Sequence, residues 1–187
     1  GSTKSFTINV PANTYQVKVM LIWADPQAST SAAMALVNDL DLSVQIPGGN
    51  SLKPWVLNPA ASSSALSSLA VRKRDSLNNI EQVTLDSATQ GTYTINVNGY
   101  NIPSGNQKFY IIHSFIKDEI KITYPLGGET FVPLQQEVIR WESPSSTSKF
   151  TAEISLDGGK TWVLLNSNIN GSKNSHILGV PVFPSDS

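Results

Sequence analysis

Alternation of apolar and polar residues with a period of two constrains the fold of this chain most strongly. Phe6, Ile8 and Val10 alternate in one segment, and Tyr15, Val17, Val19, Leu21 and Trp23 in the next. A period of two places successive side chains on opposite faces of a strand, and β-branched and aromatic residues favour strands. The pattern recurs at 40–46, 83–85, 93–97, 120–123, 137–141, 149–156 and 161–165. The sequence therefore predicts an all-β fold.

Several segments carry weaker or different signals. The segment 109–116 is apolar at both parities, which predicts a central strand buried on both faces. Two segments with some helical character, 30–37 and 60–70, are short or rich in serine and are predicted to be loops. Trp23, Trp141 and Trp162 end strands or follow a turn, so we expect all three in the core. Trp55 lies in a loop, where it either covers the edge of the core or is exposed for contact.

Composition excludes several function classes. Thirteen Lys and Arg against fourteen Asp and Glu give a net charge of −1, which lacks the positive field that nucleic-acid binding requires. No apolar run approaches the roughly 20 residues of a membrane span, so we expect no membrane insertion. The chain has no cysteine, which excludes disulfides, thiolate metal sites and a cysteine nucleophile.

A change in pattern near Asp118 predicts two domains. A short charged stretch at 117–119 separates two sets of alternating segments, and a new set begins at Ile120. Asp157-Gly158 between alternating segments predicts a hairpin, because both positions tolerate positive φ. We therefore predict domains at 3–118 and 119–187.

No catalytic residues are predicted in this chain. A serine hydrolase triad needs a histidine, and only His113 and His176 are present. His113 lies inside the apolar segment, where a structural role is the better interpretation, and His176 lies in a polar segment. No serine has the Gly-x-Ser-x-Gly surroundings of a nucleophile elbow.

Acidic and amide residues form the most specific local pattern. Parity places Asp39 and Asp41 together on one face of a strand, and Glu81 shares parity with core positions. Such oxygen donors suit calcium. The predicted metal ligands are Asn38, Asp39, Asp41, Asp75, Asn79 and Glu81. The alternative interpretation is that Asp39, Asn78 and Asn79 make Asx turns, and that backbone donors or the basic residues 72–74 neutralise the carboxylates.

Four segments in order resemble a known family: VMLIWADP at 19–26, LVNDLDL at 36–42, DSLNNIEQV at 75–83 and GTYTINV at 91–97. They are similar to the β-sandwich domain that follows the catalytic domain in many secreted bacterial subtilisin-like serine proteases. The resemblance implies a P-domain-like jelly-roll sandwich without a catalytic triad. Some members of that family carry calcium in this module.

The C-terminal segments resemble immunoglobulin-like (Ig-like) modules found in secreted proteins of Bacteroidetes-type bacteria. The similarity rests on ITYPLGGE at 122–129, VIRW at 138–141 and ISLDGGKTW at 154–162. Such modules usually continue past residue 181 with another strand or two. The resemblance therefore implies an Ig-like sandwich that is truncated at its C-terminal end.

Together the two resemblances imply a non-catalytic accessory region of an exported subtilisin-like serine endopeptidase. The expected location is outside a bacterial cell or on its surface. The expected partners are the catalytic domain of the same polypeptide and a protein substrate. The alternative is a surface adhesion or carbohydrate-binding module, which would need a flat platform of exposed aromatic side chains.

Overall fold

The computed structural model describes residues 1–182, and the chain divides into two compact units. The first unit is Gly1–Lys117 and the second begins at Asp118. Residues 183–187, the end of the second predicted domain, lie outside the described residues. Nearly all regular structure in both units is antiparallel β-sheet, so the predicted all-β fold is confirmed.

The first unit contains nine strands and one short helix. In chain order they are β1 (Thr3–Val10), β2 (Thr14–Trp23), β3 (Asp39–Gln45), β4 (Ser51–Leu52), β5 (Trp55–Val56), α1 (Ser63–Leu66), β6 (Val71–Arg72), β7 (Ile80–Asp86), β8 (Gly91–Asn101) and β9 (Phe109–Lys117). Helix α1 falls inside a segment predicted to be a loop. The Ser62 hydroxyl accepts a hydrogen bond from the Ala65 N–H at 3.2 Å, and this N-cap explains the helical turn in a serine-rich segment.

Two sheets enclose the core of the first unit. One sheet has the strand order β1-β8-β3-β4 and the other β7-β2-β9. Alternate residues of β2, β3 and β8 point between the sheets, and Val19, Leu21 and Tyr93 are completely buried there. The period of two therefore fixes which side chains form the core.

The prediction for β9 is wrong. Among residues 1–182 it pairs with β2 alone, which makes it an edge strand, and one of its faces packs against the core. Phe109, Ile111 and Phe115 are half-buried, whereas Ile112 is 56% exposed and Tyr110 is 67% exposed. An apolar pattern at both parities requires cover on both faces, and the outer face of β9 has none within this unit.

The described part of the second unit contains five strands: β10 (Lys121–Tyr124), β11 (Gln136–Glu142), β12 (Lys149–Ile154), β13 (Val163–Asn170) and β14 (Ser175–Gly179). They form a sheet of order β10-β11-β14 and a separate β12-β13 hairpin. Gly158 and Gly159 in the hairpin loop have φ of +70° and +86°, a conformation that favours glycine. The predicted Asp-Gly turn therefore connects two paired strands.

Tryptophan placement differs from the prediction at one position. Trp23 and Trp141 are buried, as predicted, but Trp162 is 61% exposed beside the β12-β13 turn. The buried apolar side chains of the described part of the second unit are Trp141, Ile169 and Leu178. A core this small cannot cover every apolar residue of the hairpin.

Candidate functional site

Asp39 and Asp41 begin the site, at the start of β3. Leu40 and Leu42 point into the core, so the two carboxylates project from the opposite face of the strand. The β3-β8 register shifts between Asp39 and Leu40, which marks an irregularity at the first residue of the strand. Both carboxylates are largely buried although they carry charge.

Arg74 binds both of these carboxylates. Its Nη2 donates to Asp39 Oδ2, and its Nε lies 2.9 Å from Asp41 Oδ1 and 3.1 Å from Oδ2. The guanidinium also lies over the ring of Tyr100, 3.4 Å from the ring centroid. A planar guanidinium can pair with two carboxylates and stack on an aromatic face at once, which lysine cannot do.

Glu81 lies in β7 with its side chain pointing inward. The residue is 3% exposed, and its Oε2 accepts the N–H of Leu42 at 2.6 Å, across the interior from one sheet to the other. Its second oxygen, Oε1, is buried without a hydrogen-bond partner. A buried polar atom of this kind is costly, and the cost is largest when the carboxyl group is ionised.

Asp75 forms an Asx turn. Its carboxylate accepts the backbone N–H groups of Leu77 at 2.9 Å and Asn78 at 3.2 Å, and the side-chain amide of Asn78 at 2.7 Å. These donors satisfy the charge locally and shape the loop that leads into β7.

The two amide residues of the predicted ligand set have structural partners. Asn38 is completely buried, and its side chain exchanges hydrogen bonds of 3.0 Å with the backbone of Ser104 and donates to Gln107 Oε1. Asn79 is exposed and donates its side-chain amide to the Trp23 carbonyl at 2.8 Å. Asn38 therefore fastens the β8-β9 loop to the start of β3.

Burial dominates the electrostatics of the cluster formed by Asp39, Asp41, Arg74, Asp75 and Glu81. It raises the pKa of Glu81 to about 8, with the Leu42 N–H opposing and the nearby aspartates reinforcing the shift. Burial also raises the pKa values of Asp39 and Asp41, against the opposing effect of Arg74. Glu81 is therefore largely a neutral carboxylic acid near pH 7.

The predicted calcium site can be compared with these contacts. Asp39 Oδ1 and Glu81 Oε1 are buried without a hydrogen-bond partner. However, the side-chain Oδ1 of Asn38 accepts the Ser104 N–H, and Arg74 lies between Asp39 and Asp41. Within residues 1–182, no three histidine or carboxylate side chains are arranged to hold a metal ion. Calcium takes six to eight oxygens, so this arrangement does not fit it unless Arg74 moves away. Calcium binding remains a prediction.

Sequence reasoning missed Asp25 and Tyr100. The Asp25 carboxylate accepts the N–H groups of Val37 at 2.7 Å and Asn38 at 2.8 Å, which holds the residues before β3 against the end of β2. Asp25 lies two residues after the end of β2 and precedes a proline, and this pattern is a usable signal for a carboxylate that accepts backbone donors. Nothing in the sequence signals that Tyr100 lies beneath Arg74.

Neither histidine belongs to the cluster, and arginine lies over two of the exposed aromatic rings. His113 is exposed on β9 with its ring 5.3 Å from that of Phe115, and His176 belongs to β14 of the other unit. Trp55 is 49% exposed, but the Arg72 guanidinium lies over its ring at 4.2 Å. Arginine therefore covers one ring face of both Trp55 and Tyr100.

Comparisons with known proteins give a coarse assignment. The chain is 27% identical over 112 residues to "Serine protease/ABC transporter B family protein tagA" of Dictyostelium discoideum, covering 60% of this chain and 6% of that protein. It is 30% identical over 102 residues to the corresponding tagB protein of the same organism, covering 54% and 5%. The chain therefore spans only about one-twentieth of these curated relatives. No family model matches the chain.

These similarities associate the chain with serine-protease proteins. Among residues 1–182, no helix is long and apolar enough to cross a membrane.

Proposed function

We propose that this chain is a non-catalytic accessory region of an exported subtilisin-like serine endopeptidase. The observation that carries the proposal is its similarity, over 102 to 112 residues, to small parts of two proteins named as serine protease/ABC transporter B family members. The four motifs between residues 19 and 97 support the subtilisin-like family. In this proposal, peptide-bond hydrolysis is performed by a serine nucleophile outside these 187 residues.

The first unit would stabilise the catalytic domain of the same polypeptide by packing against it, and so shape access of protein substrates. The outer face of the β7-β2-β9 sheet supports this role, because apolar side chains adjoin across all three strands. Ile22 pairs with Ile80 on one side and with Tyr110 on the other, and Met20 pairs with Ile112. Large exposed apolar patches commonly mark interaction surfaces. The second unit would act as an Ig-like spacer.

The coding sequence upstream of Thr3 provides the most direct test. We expect it to encode aspartate, histidine and serine motifs of the subtilisin type. The isolated chain should hydrolyse no peptide substrate. Peptide hydrolysis that persists through purification and disappears in His113→Ala would contradict the proposal, because it would place the catalytic base in this chain.

The packing face can be tested in the complete polypeptide. Replacing Tyr110 and Ile112 by lysine should lower the melting temperature of the catalytic domain and leave the isolated chain folded, because both residues are exposed in it. Leu69→Lys is the matched control, because Leu69 is exposed in a loop outside the sheet face. Equal effects of both changes would argue against this face as the contact.

A further inference from the structure

The outer face of the β1-β8-β3-β4 sheet carries a regular array of hydroxyl and amide side chains. Ile8, Ile95 and Val44 pack in the core, so the alternate residues of the same strands point outward. The outward residues are Thr3, Ser5, Thr7 and Asn9 in β1, Thr92, Thr94, Asn96 and Asn98 in β8, and Asp41, Ser43 and Gln45 in β3.

Strand register aligns these residues into rungs that run across the sheet. Ser5 lies opposite Asn96, which in turn lies opposite Ser43. On the next rung, Thr7 lies opposite Thr94. Successive rungs are about 6.7 Å apart along the strands, and neighbouring strands are about 4.8 Å apart. The array therefore repeats in two directions.

Hydrogen bonds between the strands order this array. Ser5 Oγ donates to Asn96 Oδ1 at 2.7 Å, and Thr92 Oγ1 donates to Asn9 Oδ1 at 3.0 Å. In both bonds the hydroxyl hydrogen and the amide oxygen are used, so the hydroxyl lone pairs and the amide N–H groups remain for a ligand. Donors and acceptors that are already held in place reduce the entropy lost on binding.

The charge on this face is already paired. Among the outward residues of β1, β3 and β8, Asp41 is the one charged side chain, and Arg74 Nε lies 2.9 Å from its Oδ1. A charged ligand would therefore gain little from this face. A neutral ligand with many hydroxyl groups could form hydrogen bonds with every rung, because the hydroxyl and amide groups offer both donors and acceptors.

An exposed aromatic ring lies at one end of the array. Tyr100 follows Asn98 at the same parity of β8, and it is 58% exposed. The Arg74 guanidinium lies over the ring at 3.4 Å from its centroid, which restrains the ring. A tyrosine ring offers an apolar surface and a hydroxyl group together, so it can pack against the C–H face of a sugar.

We propose that this polar face binds a neutral polysaccharide, laid along the strands from Tyr100 towards Thr92. Sugar hydroxyls form hydrogen bonds with the rungs, and one sugar ring packs against Tyr100. The rungs extend about 20 Å along the strands, which accommodates several consecutive sugars. The proposed contact with the catalytic domain uses the opposite face of the sandwich, so this inference does not depend on it.

Affinity electrophoresis of the 187-residue chain tests the proposal. The probes are three neutral polysaccharides, hydroxyethyl cellulose, arabinoxylan and galactomannan, with acidic polygalacturonate for comparison, each cast into a native gel. At least one neutral polymer should retard the chain, and polygalacturonate should not. The retardation should be the same at low and at high salt, because ion pairs do not contribute to it.

Paired variants locate the contact. Ser5→Ala with Asn96→Ala should weaken binding of the retarding polymer about tenfold, because two hydrogen-bonding groups of one rung are lost. Tyr100→Ala should weaken it by about three- to tenfold. Gln82→Ala with Ser114→Ala is the matched control, because these residues place an amide and a hydroxyl on the outer face of the opposite sheet. The control should leave the affinity unchanged.

A second variant keeps the test independent of the interstrand hydrogen bonds. Thr7→Lys adds a long charged side chain at an exposed position in the middle of the face, and it should abolish the retardation while the melting temperature stays close to that of the wild type. The same polymer should shift backbone amide NMR signals of β1, β3 and β8.

Several outcomes would overturn the proposal. They are the failure of all three neutral polymers to retard the chain, retardation by polygalacturonate alone, and equal losses in the rung variant and its control. NMR shifts confined to the surroundings of Trp55 would also overturn it, because they would assign the sugar to that ring instead. None of these outcomes affects the proposed accessory function, which the upstream coding sequence tests.

Discussion

Glu81 couples the stability of the first unit to pH. Its pKa is raised from 4.5 to about 8 by burial, so the folded state binds this proton more tightly than the unfolded state. The contribution of Glu81 to the free energy of unfolding is complete below pH 4.5 and is lost as the pH rises towards 8. We expect the free energy of unfolding to fall across this interval, with a slope from this group of at most about 1.4 kcal/mol per pH unit.

Urea denaturation at several pH values measures this dependence. Glu81→Gln should remove most of the fall, because a neutral amide can still accept the Leu42 N–H. Asp86→Asn is the control, since Asp86 is exposed at the end of the same strand. A Glu81→Gln variant whose stability still falls with the wild-type slope would show that another group titrates.

Arg74 compensates two buried carboxylates, so its removal should be costly. We expect Arg74→Ala to destabilise the first unit by roughly 1–3 kcal/mol, less than for a fully buried pair because the Arg74 side chain is 30% exposed. Replacing Asp39 and Asp41 by asparagine in the same variant should restore part of the loss. If the triple variant is no more stable than Arg74→Ala, the ion pairs do not explain the effect.

Calcium titration tests whether a calcium ion or the Arg74 side chain neutralises the carboxylates of this cluster. Bound calcium would raise the melting temperature, a chelator would lower it, and Asp41→Asn would abolish the response. The ion pairs of Arg74 favour the opposite result, namely the same melting temperature with chelator and with excess calcium. Differential scanning fluorimetry under the two conditions decides between them.

Strand β9 provides a test at the scale of one element. Its outer face is exposed, so Ile112→Ala should change the free energy of unfolding by less than about 0.5 kcal/mol. Leu21→Ala in the neighbouring β2 should cost about 2–5 kcal/mol, because Leu21 is completely buried. Similar losses for both variants, measured by urea denaturation, would mean that β9 is covered on both faces.

The misprediction of β9 has a physical cause. Periodicity indicates which faces of a strand carry apolar side chains that need to be buried. It does not indicate whether the surface that buries them belongs to the same domain. Tyr110 and Ile112 satisfy a pattern typical of a central strand, yet β9 is at the edge of its sheet. The excess apolar character of its outer face is the feature that a partner surface would explain.

At the scale of the whole molecule, the two units should unfold separately. In the described part of the second unit the buried apolar residues are Trp141, Ile169 and Leu178. Strands β2, β3 and β8 alone contribute more buried apolar side chains to the core of the first unit. We expect two calorimetric transitions, with the second unit melting at the lower temperature. Leu178→Ala should lower the midpoint temperature of only the transition that occurs first on heating. A single cooperative transition that shifts as a whole would contradict this expectation.

The sequence alone determined the all-β fold and much of the orientation of the site residues. Parity along β3 and β7 is a local property of a strand, so it correctly placed Leu40 and Leu42 inward and turned Glu81 towards the core. The turn at Asp157-Gly158 was equally local, because it depends on the φ angles that its own residues tolerate.

Only the tertiary structure decided which partners these side chains meet. Three basic residues stand together at 72–74, and strand packing brings Arg74 to Asp39 and Asp41 and Arg72 to Trp55. It also places Tyr100 under Arg74 and leaves β9 at an edge. These contacts join residues far apart in the chain, and their choice depends on strand order and register, which local periodicity does not specify.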